Sequence, residues 1–552
     1  MLFRPPYSED IEPESPAQVR PIEYTSNLGF YTVAMHVDPK DWNSPGTKAI
    51  IDRTVGGITS GAGNIVLLHD GGGNRSQTIA ALPQIIDTLK SQGYSFVTVS
   101  DLAGLSRDEF MPPIEQDEQL LVKAGGIGFY ALKLLQETVI ILFFAGIIFG
   151  SIRLIFISIL AIIQRPYFQE VPCKGFIPWY NPEVSVIIPA FNEENVIAKS
   201  VTALLRSTYR NFDIIVVDDG SRDGTYKVLE NNFYHNAKVG IFTQANGGKA
   251  SALNLGISKT DAEIIVALDA DTLFLPDTLE KLVRNFADKK VAAVAGNAKV
   301  GNRCNLLTRT QALEYITSQN LDRRAFDVMN CIPVVPGSVG AWRRAAVLEV
   351  GGFSSATLAE DSDLTLTLIK KGYRVIYESE ALAYTEAPDT VAPFLRQRFR
   401  WMYGTFQVIW KHRGAYLKKK YGALGLFGLP NMLIFQILFP LFSLIMDIAL
   451  IFSFVWIGWR YSNQQVDISM TNDVKNILFY YFLFLIIDFI ASVVPFLLER
   501  KEKWSLLLLV PLQRFFYRQL LYVAAIRAVL TALKGRLVGW GKLVRKATAV
   551  AD

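Results

Sequence analysis

Three acidic clusters lie in the middle of the chain, in two kinds of local pattern. Asp218-Asp219 and Asp269-Ala270-Asp271 each end an apolar run, whereas Glu360-Asp361 opens a stretch with helical spacing. A carboxylate pair at the end of a buried strand is exposed and well placed to hold a hard cation through its oxygens. A further carboxylate in the same site can accept a proton from a hydroxyl group. These residue types predict cation-assisted transfer chemistry.

The second cluster suits a diphosphate leaving group. When a nucleotide sugar reacts, its diphosphate gathers negative charge, and Mg²⁺ or Mn²⁺ held by one or two carboxylates would stabilise the departing oxygens. Asp271 is the first choice of metal ligand, with Asp269 as its partner. The Asp218-Asp219 turn would bind the base and ribose of the nucleotide. In isolation, acidic pairs of this kind are also typical of solvated turns and helix caps.

A third carboxylate is needed to activate the hydroxyl group that attacks the sugar. General-base catalysis requires a group within hydrogen-bond reach of that hydroxyl. Asp361 is the candidate, and the charges of its neighbours Glu360 and Asp363 are expected to raise its pKa. The alternative is a helix cap, since acidic residues favour the first turn of a helix. Both roles are compatible, and Asp363 is the better cap.

Strands and helices alternate around the first two clusters. Val184 to Pro189 and Phe212 to Val217 are short β-branched runs, Glu194 to Ser207 has helical spacing, and Glu263 to Leu268 is a strand that leads into Asp269. This order predicts an α/β fold with a mostly parallel sheet. Ligands bind such sheets beyond the carboxyl ends of the strands, which is where both clusters fall.

Long apolar runs flank this α/β block. The chain is 50% hydrophobic with a mean hydropathy of +0.24, and residues 137–163 are long enough to cross a hydrocarbon core of about 30 Å. A buried helix is the alternative, but such a helix is seldom apolar on every face. Of three later candidate segments, prolines make the first and the last ambiguous between kinked, paired and re-entrant helices. These segments are Leu424 to Trp459, Ile477 to Leu498 and Ser505 to Leu533.

Charge and cysteine content narrow the classes of partner. The net charge is only +5, and the basic residues cluster around the apolar segments, so nucleic acid is not an expected partner. The positive-inside bias places the basic tail, residues 534–552, in the cytoplasm. The three cysteines have no CxxC spacing, so neither a disulfide framework nor a zinc site is predicted. The lipid bilayer is therefore the partner that composition predicts.

The order of these motifs resembles that of the processive family 2 glycosyltransferases, which include cellulose, chitin, hyaluronan and poly-N-acetylglucosamine synthases. The last motif is Gln397-Arg398-Phe399-Arg400-Trp401, which reads QxxRW just before the C-terminal apolar region. The similarity runs from about Pro182 to the C-terminus. It implies a GT-A catalytic domain that uses UDP-sugars with a divalent metal, inverts the anomeric carbon and extrudes the polymer through its own membrane helices.

The resemblance also assigns roles to single residues. It makes Asp219 a uridine contact, Asp271 a metal ligand and Asp361 the general base. Arg400 would lie near the diphosphate and Trp401 would stack on the terminal sugar, which suits a guanidinium fork and an indole face. The alternative for QxxRW is an amphipathic interfacial helix whose Trp and Arg anchor at the bilayer surface. The acceptor-binding residues implied in this way are Gln397, Trp401, Gly337 and Ser338.

Residues 1–125 resemble the C-terminal part of polysaccharide deacetylases of carbohydrate esterase family 4, which would form a partial (β/α) barrel outside the cell. The resemblance makes Arg4 an orienting residue and His69 the general acid. The family motifs that supply the catalytic base and the metal ligands would precede Met1, so no deacetylase activity is expected from the chain as written. A truncated sequence is favoured over a vestigial half-barrel. The similar segments are Leu2 to Tyr7, Asp38 to Trp42, Leu67 to Asp70 and Ala80 to Val99.

A deacetylase-like segment also bears on the substrate. Its association with a synthase favours a polymer of N-acetylhexosamine, and hence UDP-N-acetylglucosamine as the donor. Glucose stays open, because no residue identified in the sequence reads the acetamido group.

Together these observations predict a multi-pass protein of a bacterial inner or plasma membrane that makes a β-linked polysaccharide. Residues 181–390 would be the cytoplasmic GT-A domain, 391–420 an interfacial helical region with QxxRW, and 424–533 a C-terminal membrane region. The growing polysaccharide is the expected acceptor. A non-processive lipid-linked sugar transferase, a cellulose-like β-glucan synthase and a catalytically silent scaffold are the alternatives. No oligomeric state is predicted.

Overall fold

The computed structural model describes residues 2–4, 16–71, 74–110, 119–169, 180–462, 468–499, 501–534 and 547–550. The chain forms two compact units, Met1–Leu135 and Gln136–Asp552. Most of the basic tail that was predicted at residues 534–552 lies outside the described residues.

The first unit is mostly helical. Its strands β1 (Leu2–Phe3) and β2 (Tyr31–Thr32) pair in parallel. Ile85 and Leu89 are buried at a spacing of four residues, which places them on one face of the third helix. Residues 94–98 form no strand, so the partial barrel stays a prediction. The helices are α1 (Pro16–Asn27), α2 (Thr47–Thr59), α3 (Ser76–Ser91), α4 (Val99–Ala103) and α5 (Arg107–Phe110).

The second unit is built on an eight-stranded sheet with the order β5-β4-β3-β6-β9-β8-β10-β7. Four neighbouring pairs are parallel, and the three pairs that involve β9 or β7 are antiparallel. The predicted α/β fold with a mostly parallel sheet is therefore confirmed. The strands are β3 (Val184–Ala190), β4 (Phe212–Asp218), β5 (Val239–Thr243), β6 (Ile264–Ala267), β7 (Thr272–Phe274), β8 (Val291–Val300), β9 (Gly340–Arg343) and β10 (Arg374–Thr385).

Side chains alternate between two hydrophobic layers, one on each face of the sheet. Ile214 and Val216 of β4 lie in one layer, and Ile215 and Val217 lie in the other. A strand that is buried on both faces has apolar residues at successive positions. This explains why FDIIVV in β4 does not alternate between apolar and polar residues. The register Ala190↔Asp218 brings the carboxyl ends of β3 and β4 level with each other.

Helices cover both faces of the sheet. Three π-helical segments interrupt the series at Tyr315–Asn320, Leu424–Gly428 and Met432–Leu438. Short 3₁₀ turns occur at Asp41–Asn43, Arg284–Ala287, Arg413–Ala415, Lys419–Tyr421 and Trp504–Leu508. The helices are α6 (Gln119–Gln169), α7 (Ile197–Leu205), α8 (Thr225–Phe233), α9 (Lys249–Ser258), α10 (Thr278–Val283), α11 (Leu306–Glu314), α12 (Leu321–Val328), α13 (Arg344–Glu349), α14 (Glu360–Lys370), α15 (Val391–Lys411), α16 (Leu429–Asn431), α17 (Phe439–Ser462), α18 (Ile468–Leu498), α19 (Leu509–Leu512) and α20 (Tyr517–Leu533).

Three described helical stretches are long and apolar enough to cross a membrane, namely Gln119–Gln164, Leu424–Trp459 and Leu478–Leu498. They overlap the first three segments expected from the sequence, but the first stretch begins at Gln119 and not at residue 137. The fourth expected segment is broken, because Trp504–Leu512 and Tyr517–Leu533 meet at 64°. A single straight span is therefore not observed there.

A buried ion-pair network ties the residues after α18 to the sheet. Lys299 of β8 lies 2.8 Å from Glu499, and Arg324 of α12 lies 3.4 Å from the same carboxylate. Glu502 lies 3.0 Å from Lys299 and 2.7 Å from Arg303. Buried charges are costly unless they are paired, so this network fixes the end of the apolar helix α18 against β8.

Glu499→Gln is expected to lower the free energy of unfolding by about 3 to 5 kcal/mol, because Lys299 and Arg324 lose the carboxylate that compensates their buried charges. Thermal unfolding of the detergent-solubilised protein measures this loss. Lys371→Gln is the matched control, since it breaks an exposed pair with Glu349 at 3.7 Å and should cost less than about 1 kcal/mol. Equal losses in the two variants would contradict the prediction.

Candidate active site

Asp219 organises the turn at the end of β4. Its carboxylate accepts hydrogen bonds from the side-chain amide of Gln244 at 2.6 Å and from the backbone amides of Gly247 and Gly248, both at 2.8 Å. Gly248 has φ +84°, a conformation that favours glycine. Asp219 therefore shapes the glycine turn that opens α9, and its predicted contact with uridine stays a prediction.

Asp218 differs from its neighbour in its surroundings. Its Oδ2 accepts a long hydrogen bond of 3.4 Å from the amide of Ser221. Its Oδ1 is buried and has no hydrogen-bond partner among the described residues.

The Asp269-Ala270-Asp271 turn joins β6 to β7. The Ser200 hydroxyl donates a 2.6 Å hydrogen bond to the carbonyl of Ala270, which fixes the turn against α7. Asp271 is 6% exposed, whereas the side chain of Asp269 is 36% exposed and lies 2.6 Å from Lys249. Two carboxylates thus stand at the end of a buried strand, as the sequence predicted.

Lys249 is the residue that sequence reasoning missed. Its ammonium group lies 2.6 Å from Asp269 and 3.5 Å from Glu360, so it bridges the second and third acidic clusters. Burial alone would lower the pKa of Lys249, but the attraction of the surrounding carboxylates outweighs burial and raises it. The signal in the sequence was Gly247-Gly248-Lys249 at the start of a helix that follows a strand.

Asp361 lies in the first turn of α14 and faces the Pro336-Gly337-Ser338 segment. It accepts hydrogen bonds from the amides of Gly337 at 3.2 Å and Ser362 at 2.8 Å. Burial raises the pKa of Asp361, while Lys249 opposes that rise. Burial likewise raises the pKa of Glu360 to about 7. The main cause is thus burial and not the neighbouring charges that the sequence suggested.

Gly337 lies against the end of the Lys249 side chain, which a larger residue would displace. A Cβ atom on Gly337 would lie 2.5 Å from Nζ of Lys249. The backbone therefore passes directly over the lysine that joins the acidic clusters.

The expected capping role of Asp363 is wrong. The α14 N-terminus has no side-chain cap hydrogen bond. The carboxylate of Asp363 instead lies 2.6 Å from Lys411 and 2.8 Å from His412, at the end of α15. Tertiary ion pairing has taken the place of a local cap, and it fixes α14 against α15.

Lys249→Met is expected to shift the acidic limb of the pH profile to higher pH. The charge of Lys249 lowers the pKa values of Asp361 and Glu360. Without it these values rise, and a base must be deprotonated to act, so activity is lost at a higher pH as the solution is acidified. The measurement is kcat/KM against pH. Lys259→Met, at the exposed end of the same helix, should leave the profile unchanged.

Helix α15 carries the QxxRW motif along the other side of the site. Trp401 is 37% exposed, and its ring centroid lies 6.4 Å from that of Tyr315 in the π-helical segment. Gln397 is buried, and its Oε1 has no hydrogen-bond partner among the described residues. Arg400 lies one turn further along, beside Trp401.

One cavity of about 1410 Å³ brings these groups together. Every predicted site residue of the second unit borders it except Asp218. The cavity continues between the apolar helices, where it is bordered by Gly150 of α6, Ser443 of α17, Asp488 of α18 and Arg518 of α20. The predicted site residues along its wall are Asp219, Asp269, Asp271, Gly337, Ser338, Asp361, Gln397, Arg400 and Trp401.

In the first unit, the structure brings two predicted residues together. His69 Nδ1 lies 2.7 Å from Asp41, and the Thr78 hydroxyl donates a 2.9 Å hydrogen bond to the same carboxylate. Burial acts to raise the pKa of Asp41, but its hydrogen bonds with His69 and Thr78 outweigh this and hold the pKa below its usual value. Arg4 directly follows β1. The roles of Arg4 and His69 stay predictions.

Residues 182–404 match the family model for glycosyltransferase like family 2. Residues 182–404 therefore form a GT-A domain similar to those of the family 2 glycosyltransferases, as expected from the motifs.

Among curated relatives, the chain is similar to poly-β-1,6-N-acetyl-D-glucosamine synthases. It is 28% identical to that of Staphylococcus aureus strain MSSA476 over 279 residues, which cover 48% of this chain and 67% of the relative. It is also 28% identical to that of Staphylococcus epidermidis over 239 residues, which cover 43% of this chain and 58% of the relative. A solved mannosyltransferase of Pyrobaculum calidifontis, PcManGT in complex with GDP-Man and Mn²⁺, is 19% identical with a TM-score of 0.46, and the match covers 69% of this chain and all of that one.

Proposed function

We propose that the protein is a membrane-bound inverting glycosyltransferase that polymerises a UDP-sugar, with UDP-N-acetylglucosamine as the leading donor, into a β-linked polysaccharide. The observation that carries the proposal is the single cavity. It is bordered by Asp271 and Asp361, by the exposed face of Trp401, and by residues of the apolar helices. Donor chemistry, acceptor binding and an exit between membrane helices can therefore share one continuous space.

The carboxylates at the end of β6 fit a divalent cation. Asp269 and Asp271 offer hard oxygen ligands, which suit Mg²⁺ or Mn²⁺. Among the described residues no group of three or more His, Cys, Asp or Glu side chains could hold a metal, so diphosphate oxygens and water would complete the coordination, as is usual for Mg²⁺. Lys249 already engages Asp269 at 2.6 Å, which favours Asp271 as the main ligand. A bound cation would stabilise the charge that develops on the departing diphosphate.

The residues of the chain perform the remaining steps of transfer. Asp361 takes the proton of the acceptor hydroxyl while the oxygen of that hydroxyl forms a bond to the anomeric carbon. The bond from that carbon to the UDP oxygen breaks on the opposite face, and UDP leaves with the electron pair, which inverts the configuration. Arg400 pairs with the diphosphate, and Trp401 supports the apolar face of the acceptor sugar.

Topology and sugar identity follow from the same proposal. The glycosyltransferase domain would lie in the cytoplasm and residues 1–125 outside the cell, at a bacterial inner or plasma membrane. The choice of N-acetylglucosamine is supported by the deacetylase resemblance of residues 1–125 and by the similarity to the staphylococcal poly-β-1,6-N-acetyl-D-glucosamine synthases.

A membrane assay tests the function. Membranes that contain the protein are incubated with labelled UDP-N-acetylglucosamine or UDP-glucose and with Mg²⁺ or Mn²⁺, and the product is sized. A long labelled polymer from UDP-N-acetylglucosamine supports the proposal. A polymer from UDP-glucose alone indicates a β-glucan synthase, and a short lipid-linked product indicates a non-processive transferase. Absence of product from either donor would overturn the proposal.

A further inference from the structure

Arg398 occupies a position that the QxxRW pattern leaves open. Its guanidinium carbon lies 4.2 Å from the ring centroid of Trp401 and 5.1 Å from that of Phe394. The side chain of Arg398 is only 2% exposed. A buried guanidinium over an indole ring is a cation–π contact, which is strongest where water is excluded.

Two residues that are distant in the sequence hold this guanidinium in place. Arg398 Nη2 lies 2.6 Å from Glu314 and 3.1 Å from the hydroxyl of Tyr517. Tyr517 also donates a hydrogen bond to Glu314. We call Glu314, Arg398 and Tyr517 the clamp.

The three residues of the clamp lie on three separate helices. Glu314 is the last residue of α11, Arg398 lies in the middle of α15, and Tyr517 is the first residue of α20. All three residues border the cavity. Because the hydrogen bonds at Nη2 hold the guanidinium in place against the indole, the Trp401 ring has less freedom to rotate. Its partly exposed side is thereby presented to the cavity in one orientation.

We propose that Arg398 is a positioning residue that holds Trp401 as a platform for the terminal pyranose ring of the acceptor, and that Tyr517 links this platform to the C-terminal helix. The inference rests on the proposed function, because it assumes that the ligand beside Trp401 is the acceptor sugar. A preorganised ring costs less entropy on binding, so the clamp acts on the affinity for the acceptor. Under the proposed function the donor is bound by other residues, namely Asp219, Asp271 and Arg400.

Arg398→Met is expected to raise the KM for an added N-acetylglucosamine oligosaccharide by about tenfold, which lies between the sizes of an exposed and of a fully desolvated cation–π contact. The KM for UDP-N-acetylglucosamine should stay the same. Tyr517→Phe keeps the aromatic packing and the Arg398–Glu314 pair, so it should raise the acceptor KM by a smaller factor. Arg413→Met is the matched control, because Arg413 lies 4.6 Å from the ring of Trp410 at the exposed end of α15, away from the cavity.

A double-mutant cycle separates positioning from a general structural effect. If Arg398 acts through Trp401, Arg398→Met should add almost nothing in a Trp401→Ala background. The same fold-change in both backgrounds, or a rise in the donor KM instead, would overturn the inference while leaving the proposed function intact. If the wild-type protein transfers sugar from neither donor, the proposed function itself fails.

Discussion

Asp361→Asn is expected to lower kcat for sugar transfer by about 10² to 10⁴, the usual contribution of a general base. The variant keeps the shape of the side chain and can still accept a hydrogen bond from Gly337, which lies 3.2 Å from the wild-type carboxylate. It cannot take a proton from the acceptor hydroxyl. Donor binding, measured by the displacement of a labelled nucleotide, should therefore persist while polymer formation stops.

Asp363→Asn is the matched control for this variant. Asp363 lies on the same turn of α14, but its carboxylate pairs with Lys411 and His412. Loss of the Asp363 carboxylate should lower the melting temperature of the protein. The fraction of the protein that stays folded should still transfer sugar normally. If Asp361→Asn polymerises sugar at the wild-type rate, Asp361 is not the base.

Asp271→Asn is expected to lower activity by at least about a hundredfold, because a cation on the diphosphate is worth several kcal/mol in the transition state. The variant should also need a higher concentration of Mn²⁺ or Mg²⁺ for half-maximal rate. Chelation of divalent cations should abolish the wild-type activity, and addition of either ion should restore it. Rates measured across a titration of each ion test both statements.

The control for the metal prediction is Asp277→Asn. Asp277 follows in the same segment, is about half exposed and pairs with Lys281 at 2.6 Å on the surface. This variant should show the wild-type response to metal. If Asp271→Asn retains full activity with an unchanged metal response, the proposed role of Asp271 is wrong.

The fold could be predicted largely because the apolar runs in the sequence are also the strands that are buried in the structure. The run VSVIIP predicted a strand at Val184 to Pro189, and the structure extends it by one residue to Ala190. The first two acidic clusters were placed correctly at strand ends, since a polar pair after a buried strand has few other positions in a parallel sheet. The helix expected at Glu194 to Ser207 is observed as the shorter Ile197–Leu205.

The parts of the site that could not be predicted depend on contacts between distant residues. Lys249 is separated by 111 positions from Glu360, and only the folded sheet brings α9 beside α14. Tyr517 lies 203 positions from Glu314. The capping prediction for Asp363 failed for the same reason, because helix-cap reasoning sees only the local chain and not the cations at the end of α15.

The charge network after α18 has a consequence for how a polymer could advance. Lys299, Glu499 and Glu502 anchor the end of α18, a candidate membrane span, on strand β8 of the sheet. Sliding the domain along the helix would separate buried charges at every step. We therefore expect the catalytic sheet to keep a fixed height above the bilayer throughout synthesis. In that case the sugar chain moves stepwise through the cavity, while the sheet and the end of α18 keep their relative position.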